Sequence, residues 1–393
     1  MFPIRNERAR WGWSVSLTPV SVPPDAPAPA CVADQDCTQS STPHCAPNET
    51  CVECVTSDQC PTASPVCQAT TNTCRGCAAD SDCSSEICDL MTGLCAPSPT
   101  IAYASPTGAS TASCTRMDPC SIDRAFALTD AIRNLIKLSP GSYNANLVVV
   151  NKSIDVRADG ATISSTTGKT LTINDRGSVH MAGGTIVASG SAGTAIDCAT
   201  LNNVDSPSIA LDGVHVESLA RGLNLDMCTA TIARSTIHVT GSSSAIGATS
   251  GTTASADRTS ILGGGSTVIA ASNAIVHLTN CVIGQPTSGS DAFFGVSGAV
   301  TVSFSTVINA VATCGTAAPA CAGNSPNGVC FDNSIVANLT AGAPSNTITG
   351  AGCAANHTLV FPQSNFAARV GQPDQRESEA QGSRDRRPAP SPE

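Results

Sequence analysis

The sequence predicts an all-β chain: a parallel β-helix of about eight or more coils with a short helix near its start, preceded by small disulfide-rich modules. Three observations carry this. Twelve cysteines fall between Cys31 and Cys95 in three sets of four, and the sets open at the evenly spaced positions Cys31, Cys54 and Cys77. A short apolar–small–apolar motif then returns at steps of roughly 20 to 30 residues, a solenoid period. Composition agrees: Gly, Ser, Thr, Ala and Val dominate, aromatics are 3% and charged residues 13%, the vocabulary of short strands and tight turns.

Residues 1–30 read as a leader and linker rather than a fold. Arg5, Arg8 and Arg10 precede a stretch with a poor apolar core, and five prolines follow between Pro19 and Pro29. A secreted chain should open on a signal peptide, so the expectation is that the true start lies upstream or that this segment is misread. Trp11 and Trp13 both lie here.

Residues 31–95 are three tandem modules: Cys31, Cys37, Cys45, Cys51; then Cys54, Cys60, Cys67, Cys74; then Cys77, Cys83, Cys88, Cys95. Units this small cannot bury enough apolar surface to fold unaided, so covalent staples and an oxidising compartment are expected. Zinc is the weaker reading. The Cys51-x-x-Cys54 and Cys74-x-x-Cys77 pairs straddle module boundaries, and His44 is the lone histidine of the region. Four cysteines allow three pairings, and the sequence does not choose among them. An acid precedes each second cysteine (Asp36, Asp58, Asp82). Capping of a turn is the favoured role; calcium binding is possible but unsupported, and no cofactor is expected.

Residues 96–100 (Ala-Pro-Ser-Pro-Thr) form a linker, and Ser121 to about Ile132 reads as a helix with Ser121 as its N-cap. The repeat motif follows as Met181–Ile186, Leu211–Val216, Ile232–Ile237, Ala256–Ile261, Leu278–Ile283, Val302–Val307 and Phe331–Val336, with a looser copy from Val156. Alternation puts one side chain in two inside. A β-sandwich would show hairpin turns at a spacing of roughly 8 to 12 residues, and no consistent set is visible. Cys198 follows Met181 by the same interval as Cys228 follows Leu211, which predicts equivalent places in adjacent coils and a disulfide. Cys114 with Cys120 is a further staple; Cys314 with Cys321 and Cys330 with Cys353 are weaker pairings. Cys281 falls in the small-residue column with Gly184, Ser235, Thr259, Ser305 and Ser334, as a packed free thiol.

Three stretches carry a resemblance: Tyr103-Ala-Ser-Pro-Thr-Gly108, Pro119-Cys-Ser-Ile-Asp-Arg-Ala125 and Ile136-Lys-Leu-Ser-Pro-Gly-Ser-Tyr143. They resemble the opening of secreted right-handed parallel β-helix proteins of the pectate-lyase-like superfamily. The resemblance implies a right-handed solenoid over residues 101–366 whose first coil is plugged by the short helix. It implies little about function, because that fold hosts lyases, hydrolases, epimerases and non-catalytic adhesins. The cysteine modules resemble the dickkopf-type N-terminal cysteine-rich repeat and repeats that precede β-helices in secreted proteins of GC-rich soil bacteria. Arg outnumbering Lys by 17 to 3 is compatible with such a genome.

Polysaccharide-cleaving β-helices need acids, a base and often calcium on one outer face. The second motif column carries Asp212, Asp257 and Asp332; the third carries Arg234, Arg258 and Asn280, with Arg157 offset by one. Stacking makes Asp212, Arg234, Asp257 and Arg258 a candidate surface patch. Against catalysis, Ala233 interrupts the acid column, and two acids two coils apart stand about 10 Å apart. Aromatic platforms are scarce, with Phe293-Phe294 read as an inserted loop. His180, His215, His238 and His277 fall on different coils without ligand spacing, so no metal site is expected. No catalytic triad or phosphate loop appears, and Gly263-Gly-Gly265 reads as a turn. Asn48, Asn338 and Asn356 open glycosylation triplets that are common by chance.

Residues 367–393 are charged and proline-rich, with disorder expected. The resemblance's closing segment is not recognisable there: the solenoid ends bare near Phe361, or the reading frame has shifted. Net charge is −10 with no basic stripe, which argues against nucleic acid, and no apolar run is long enough to span a bilayer. The expected function is a secreted or cell-surface, non-catalytic protein that presents its solenoid to a polysaccharide or surface protein. The alternative is a polysaccharide lyase or glycoside hydrolase on the same scaffold. Oligomeric state is not fixed by the sequence.

Overall fold

The computed structural model describes residues 31–202, 205–263, 267–284, 291–296, 298–308, 311–313, 328–337, 348–349 and 353–361. The leader, the tail, Gly264, Gly265, Asn338, Cys314 and Cys321 lie outside the described residues. Contacts divide the chain into two compact units, Met1–Cys95 and Ala96–Glu393.

Each module is a 3-10 turn followed by a two-stranded antiparallel hairpin. The turns are Asp34–Asp36, Ser57–Gln59 and Asp80–Asp82, and the hairpins pair Cys45 with Cys51, Cys67 with Cys74 and Cys88 with Cys95. The first cysteine bonds the third and the second bonds the fourth: Cys31–Cys45 and Cys37–Cys51, Cys54–Cys67 and Cys60–Cys74, Cys77–Cys88 and Cys83–Cys95. Three sulfurs of each module crowd within 4.8 Å of one another. All of them are in disulfides, so none is the thiolate that zinc requires.

Two polar columns hold the turns. Asp34, Ser57 and Asp80 accept the N–H of the third cysteine, at 2.7, 3.1 and 2.8 Å. Asp36 accepts from Val32 and Ala33, Gln59 from Val55 and Thr56, and Asp82 from Ala78. The acids are therefore turn caps, with one correction: Gln59, not Asp58, is the second module's equivalent of Asp36 and Asp82. An amide oxygen accepts these bonds as a carboxylate does.

The second unit is a right-handed parallel β-helix of three sheets. Among the described residues the first has eleven strands between Ile101–Ala109 and Cys353–Asn356, the second ten between Gly141–Asn144 and Leu359–Phe361, and the third nine between Leu147–Val150 and Ile348–Thr349. Apart from Ile101–Ala109 and Leu135–Leu138, which are consecutive strands, neighbours within a sheet are three strands apart in sequence, so each coil gives one strand to each sheet. Ile136, Val156, Met181, Leu211, Ile232, Ala256, Leu278, Val302 and Phe331 stand in one register column, and all are buried in one continuous core. Phe293 belongs to that core. It lies on the strand Asp291–Val296, not in a loop, and meets Phe331 edge-on at 5.7 Å.

The corner between the first and second sheets explains the motif. Its third position is left-handed in coil after coil: Gly183, Gly213, Arg234, Arg258, Asn280, Phe304, Asn333 and His357, with φ from +47 to +71°. The N–H of each of these but His357 donates to the next coil's second-column carbonyl, as in Arg234 to Asp257 and Asn280 to Ser303. The fourth position is a buried hydroxyl ladder. Ser305 donates to the carbonyl of Ser303 at 2.7 Å and accepts the N–H of Cys281 at 3.0 Å. Ser235, Thr259, Ser334 and Thr358 likewise donate two residues back. Small polar residues fill this column because backbone groups at a buried corner must be paired. Among the described residues Cys281 is the buried free thiol, with Sγ 3.3 Å from the Thr279 carbonyl.

The N-terminal helix runs Ile122–Leu128, with the Ser121 side chain accepting from Arg124 and Ile122, Ala125 and Phe126 buried. It stops short of Ile132 because the Asp130 carboxylate captures the N–H groups of Ile132 and Arg133 at 2.7 Å each, which favours a turn over another helical turn. Cys114–Cys120 and Cys198–Cys228 are disulfides. The latter is not a pairing of equivalent positions: Cys198 is in register with Leu225, and Cys228 lies beyond that strand. Its Cα atoms are 5.9 Å apart, so the bridge crosses coils diagonally. Cys330 and Cys353 are also disulfide-bonded.

Candidate functional site

The outer face of the first sheet, together with its corner, carries the candidate patch and a group of charged residues beside it. Asp155 and Arg157 lie two apart on Ser153–Arg157, so both point outward. His180 pairs with Asp155 in register, and Arg157, Ala182, Asp212, Ala233 and Asp257 form the adjacent column. Arg234 and Arg258 follow in the left-handed corner positions.

The structure ties the four patch residues into two ion pairs. Arg234 reaches back one coil to Asp212. Arg258 pairs with its neighbour Asp257 at 2.7 Å, and the Asn280 amide donates to the other Asp257 oxygen at 3.1 Å. The Asn280 hydrogen bond, then Arg258 and Arg234, hold the Asp257 carboxyl below its ordinary 3.8. Asp212 and Asp257 stay two coils apart, because Ala233 stands between them in register.

A second cluster lies beside this patch and escapes the sequence reading. His180 Nδ1 is 3.3 Å from Asp155, and Arg157 Nε is 3.5 Å from the other Asp155 oxygen. The Asp155 hydrogen bond raises the His180 pKa above 6.5; desolvation and Arg157 oppose it, and Asp212 assists. Asp155 Oδ1, Arg157 Nε and Asp212 Oδ1 are buried without a hydrogen-bond partner among the described residues. A signal does exist: His180 precedes Met181 as Asp155 precedes Val156, so the motif alignment stacks them. His277 stands in the same column, opposite Ser255 and Thr301.

The chemistry open to these groups is narrow. The Asp257 carboxylate, held ionised by Asn280 and Arg258, has no proton to give near neutrality. A guanidinium stays protonated and serves as an electrostatic clamp. The two-coil spacing of about 10 Å between Asp212 and Asp257 exceeds the roughly 5 to 5.5 Å of a nucleophile–acid pair in retaining glycosidases and lies just beyond the roughly 6.5 to 9.5 Å of inverting ones. His180, raised above 6.5 by Asp155, is the imidazole that this cluster offers for proton exchange.

Comparison with known proteins bears on the scaffold. No protein-family model and no curated protein matches the sequence. Among solved structures, that of pectate lyase Pel9A aligns with a TM-score of 0.50 at 14% identity, over 69% of this chain and 81% of that one. The likeness is one of fold: a pectate-lyase-like right-handed parallel β-helix.

Proposed function

We propose that the chain is an extracellular, non-catalytic glycan-binding protein, in which disulfide-stapled modules precede a β-helix that offers its outer surface to a polysaccharide. The observation that supports this most is the internal pairing of the patch: Asp212 is spent on Arg234 and Asp257 on Arg258. A surface neutralised in this way can contact hydroxyls but lacks a free acid and base placed across a scissile bond. Eight complete disulfides among the described residues support an oxidising environment. No described helix is long and apolar enough to cross a membrane.

One observation favours a second reading, polysaccharide cleavage. The Asp155–His180 pair beside Arg157 joins an oriented imidazole to a cation, the elements a β-elimination would use for its base and its neutraliser. A depolymerisation screen decides between them. Folded protein is incubated with neutral and acidic polysaccharides, with and without calcium, and new reducing ends and unsaturated products are measured alongside binding by isothermal calorimetry. Binding without cleavage supports the display reading. Turnover that vanishes in His180→Ala would replace it with the enzymatic one.

A further inference from the structure

The corner seam changes character along the solenoid. In the N-terminal coils its left-handed positions hold Gly183, Gly213, Arg234 and Arg258, and the second sheet opens on Thr185, His215, Thr236 and Ser260. In the C-terminal coils the same positions hold Asn280, Phe304, Asn333 and His357, and the second sheet opens on Val282, Thr306, Ile335 and Leu359. Val282, Ile335 and Leu359 are exposed, and Phe304 is 62% exposed.

Phe304 is anomalous twice. A bulky side chain at φ +50° adopts a conformation that Asn, as at positions 280 and 333, tolerates better. Its ring also contributes little to the core, whereas Tyr103, Phe126, Tyr143, Phe293 and Phe331 are all buried. Phe304 thus differs from these five in presenting its ring to solvent. An aromatic held in a strained, solvated position where polar residues would be favoured points to a contact made by its face.

The neighbours specify the contact. One coil before stands Asn280 and one coil after stands Asn333, each about 4.8 Å along the seam. The Asn280 amide N–H donates to Asp257 and the Asn333 amide N–H to Asp332, both at 3.1 Å; each amide also carries a carbonyl oxygen that accepts and a second N–H that donates. Asp332 accepts from Asn333 and Asn356 and has no ion-pair partner among the described residues. An apolar face bracketed by amides suits a pyranose ring, with C–H groups on the aromatic and hydroxyls reaching the rim. The Asp332 carboxylate, without an ion-pair partner among the described residues, disfavours an acidic sugar.

We propose that Phe304, flanked by Asn280 and Asn333, is a stacking platform for a neutral sugar unit of a glycan. The proposal rests on the glycan-binding reading above and adds the subsite and the charge class. The test is a calorimetric titration of the full chain with cellohexaose, xylohexaose, chitohexaose, mannohexaose and, as the acidic probe, hexagalacturonate. Phe304→Asn keeps a residue suited to the left-handed turn, and Phe304→Trp keeps the platform. The expected result is binding of at least one neutral hexaose, weakened roughly tenfold or more in Phe304→Asn and retained in Phe304→Trp. Binding of neutral hexaose that Phe304→Asn leaves unchanged, or binding of hexagalacturonate alone, overturns the platform while the glycan reading survives. No binding of any probe by folded wild-type protein overturns both.

Discussion

The Arg234 guanidinium crosses one coil to the Asp212 carboxylate, and Arg234 itself occupies a left-handed turn at φ +49°. The two features act in opposite directions on stability. Both side chains are part-exposed, so the ion pair is worth no more than about 1 kcal/mol, while a left-handed non-glycine residue costs of that order. Arg234→Ala loses the pair and keeps the turn, with an expected loss under about 1 kcal/mol in urea denaturation. Arg234→Gly loses the same pair but relieves the turn, so its midpoint should lie above that of Arg234→Ala. A lower midpoint for the glycine variant would refute the strain argument.

His180 should titrate above 6.5 because Asp155 holds its protonated form. The sign follows from that direction. The pair's contribution to stability is complete below 6.5 and is lost as pH rises through the folded-state value. In Asp155→Asn the opposing effects of desolvation and Arg157 remain, so the midpoint should fall toward or below 6.5. Imidazole chemical shifts followed by NMR across pH 5 to 8 measure it. An unchanged midpoint would mean that Asp155 is not the cause.

What the sequence discloses, and what it hides, follows from the period of the solenoid. Columns anchored on the motif are legible: the Leu211-to-Phe331 core, the small-residue column with Cys281, and Asp212 with Asp257 all recur at fixed offsets. Features displaced by variable loops are not. Cys198 and Cys228 share an offset from their motif starts, yet the loops between strands differ, so their register differs although they bond. Phe293 follows a segment without a motif, and only the third-sheet pairing of Ile269 with Phe293 reveals it as core. Asp58 draws attention as an acid, whereas position 59 carries the cap, because hydrogen-bond acceptance rather than charge is what the turn requires. Asp155 and His180 are a different case: each directly precedes its motif's first residue, so their column is legible although a full coil separates them along the chain.

The hydroxyl ladder predicts an asymmetry between two conservative changes. In Cys281→Ser the new hydroxyl can donate to the Thr279 carbonyl as Ser305 does to Ser303, so stability should change by less than about 1 kcal/mol. In Ser305→Ala the buried N–H of Cys281 loses its acceptor and the Ser303 carbonyl loses a donor, for an expected cost of about 1 to 3 kcal/mol. Chemical denaturation of both variants tests this. Equal destabilisation would mean that the column is chosen for volume alone.

The module caps predict a pH dependence that divides the three repeats. Backbone N–H groups of Val32 and Ala33 hold the Asp36 carboxyl below 3.8, and the N–H of Ala78 does the same for Asp82. A depressed folded-state pKa means that the contribution is present above 3.8 and is lost as pH falls through the folded value. Gln59 does not titrate, so the second cap should persist in acid. Amide hydrogen exchange measured at successively lower pH should show protection at Val32, Ala33 and Ala78 declining relative to Val55 and Thr56, after correction for the intrinsic rate. In Gln59→Glu the second module should acquire the same acid sensitivity. If all three caps lose protection together in the wild type, the carboxylates are not what holds the first and third turns.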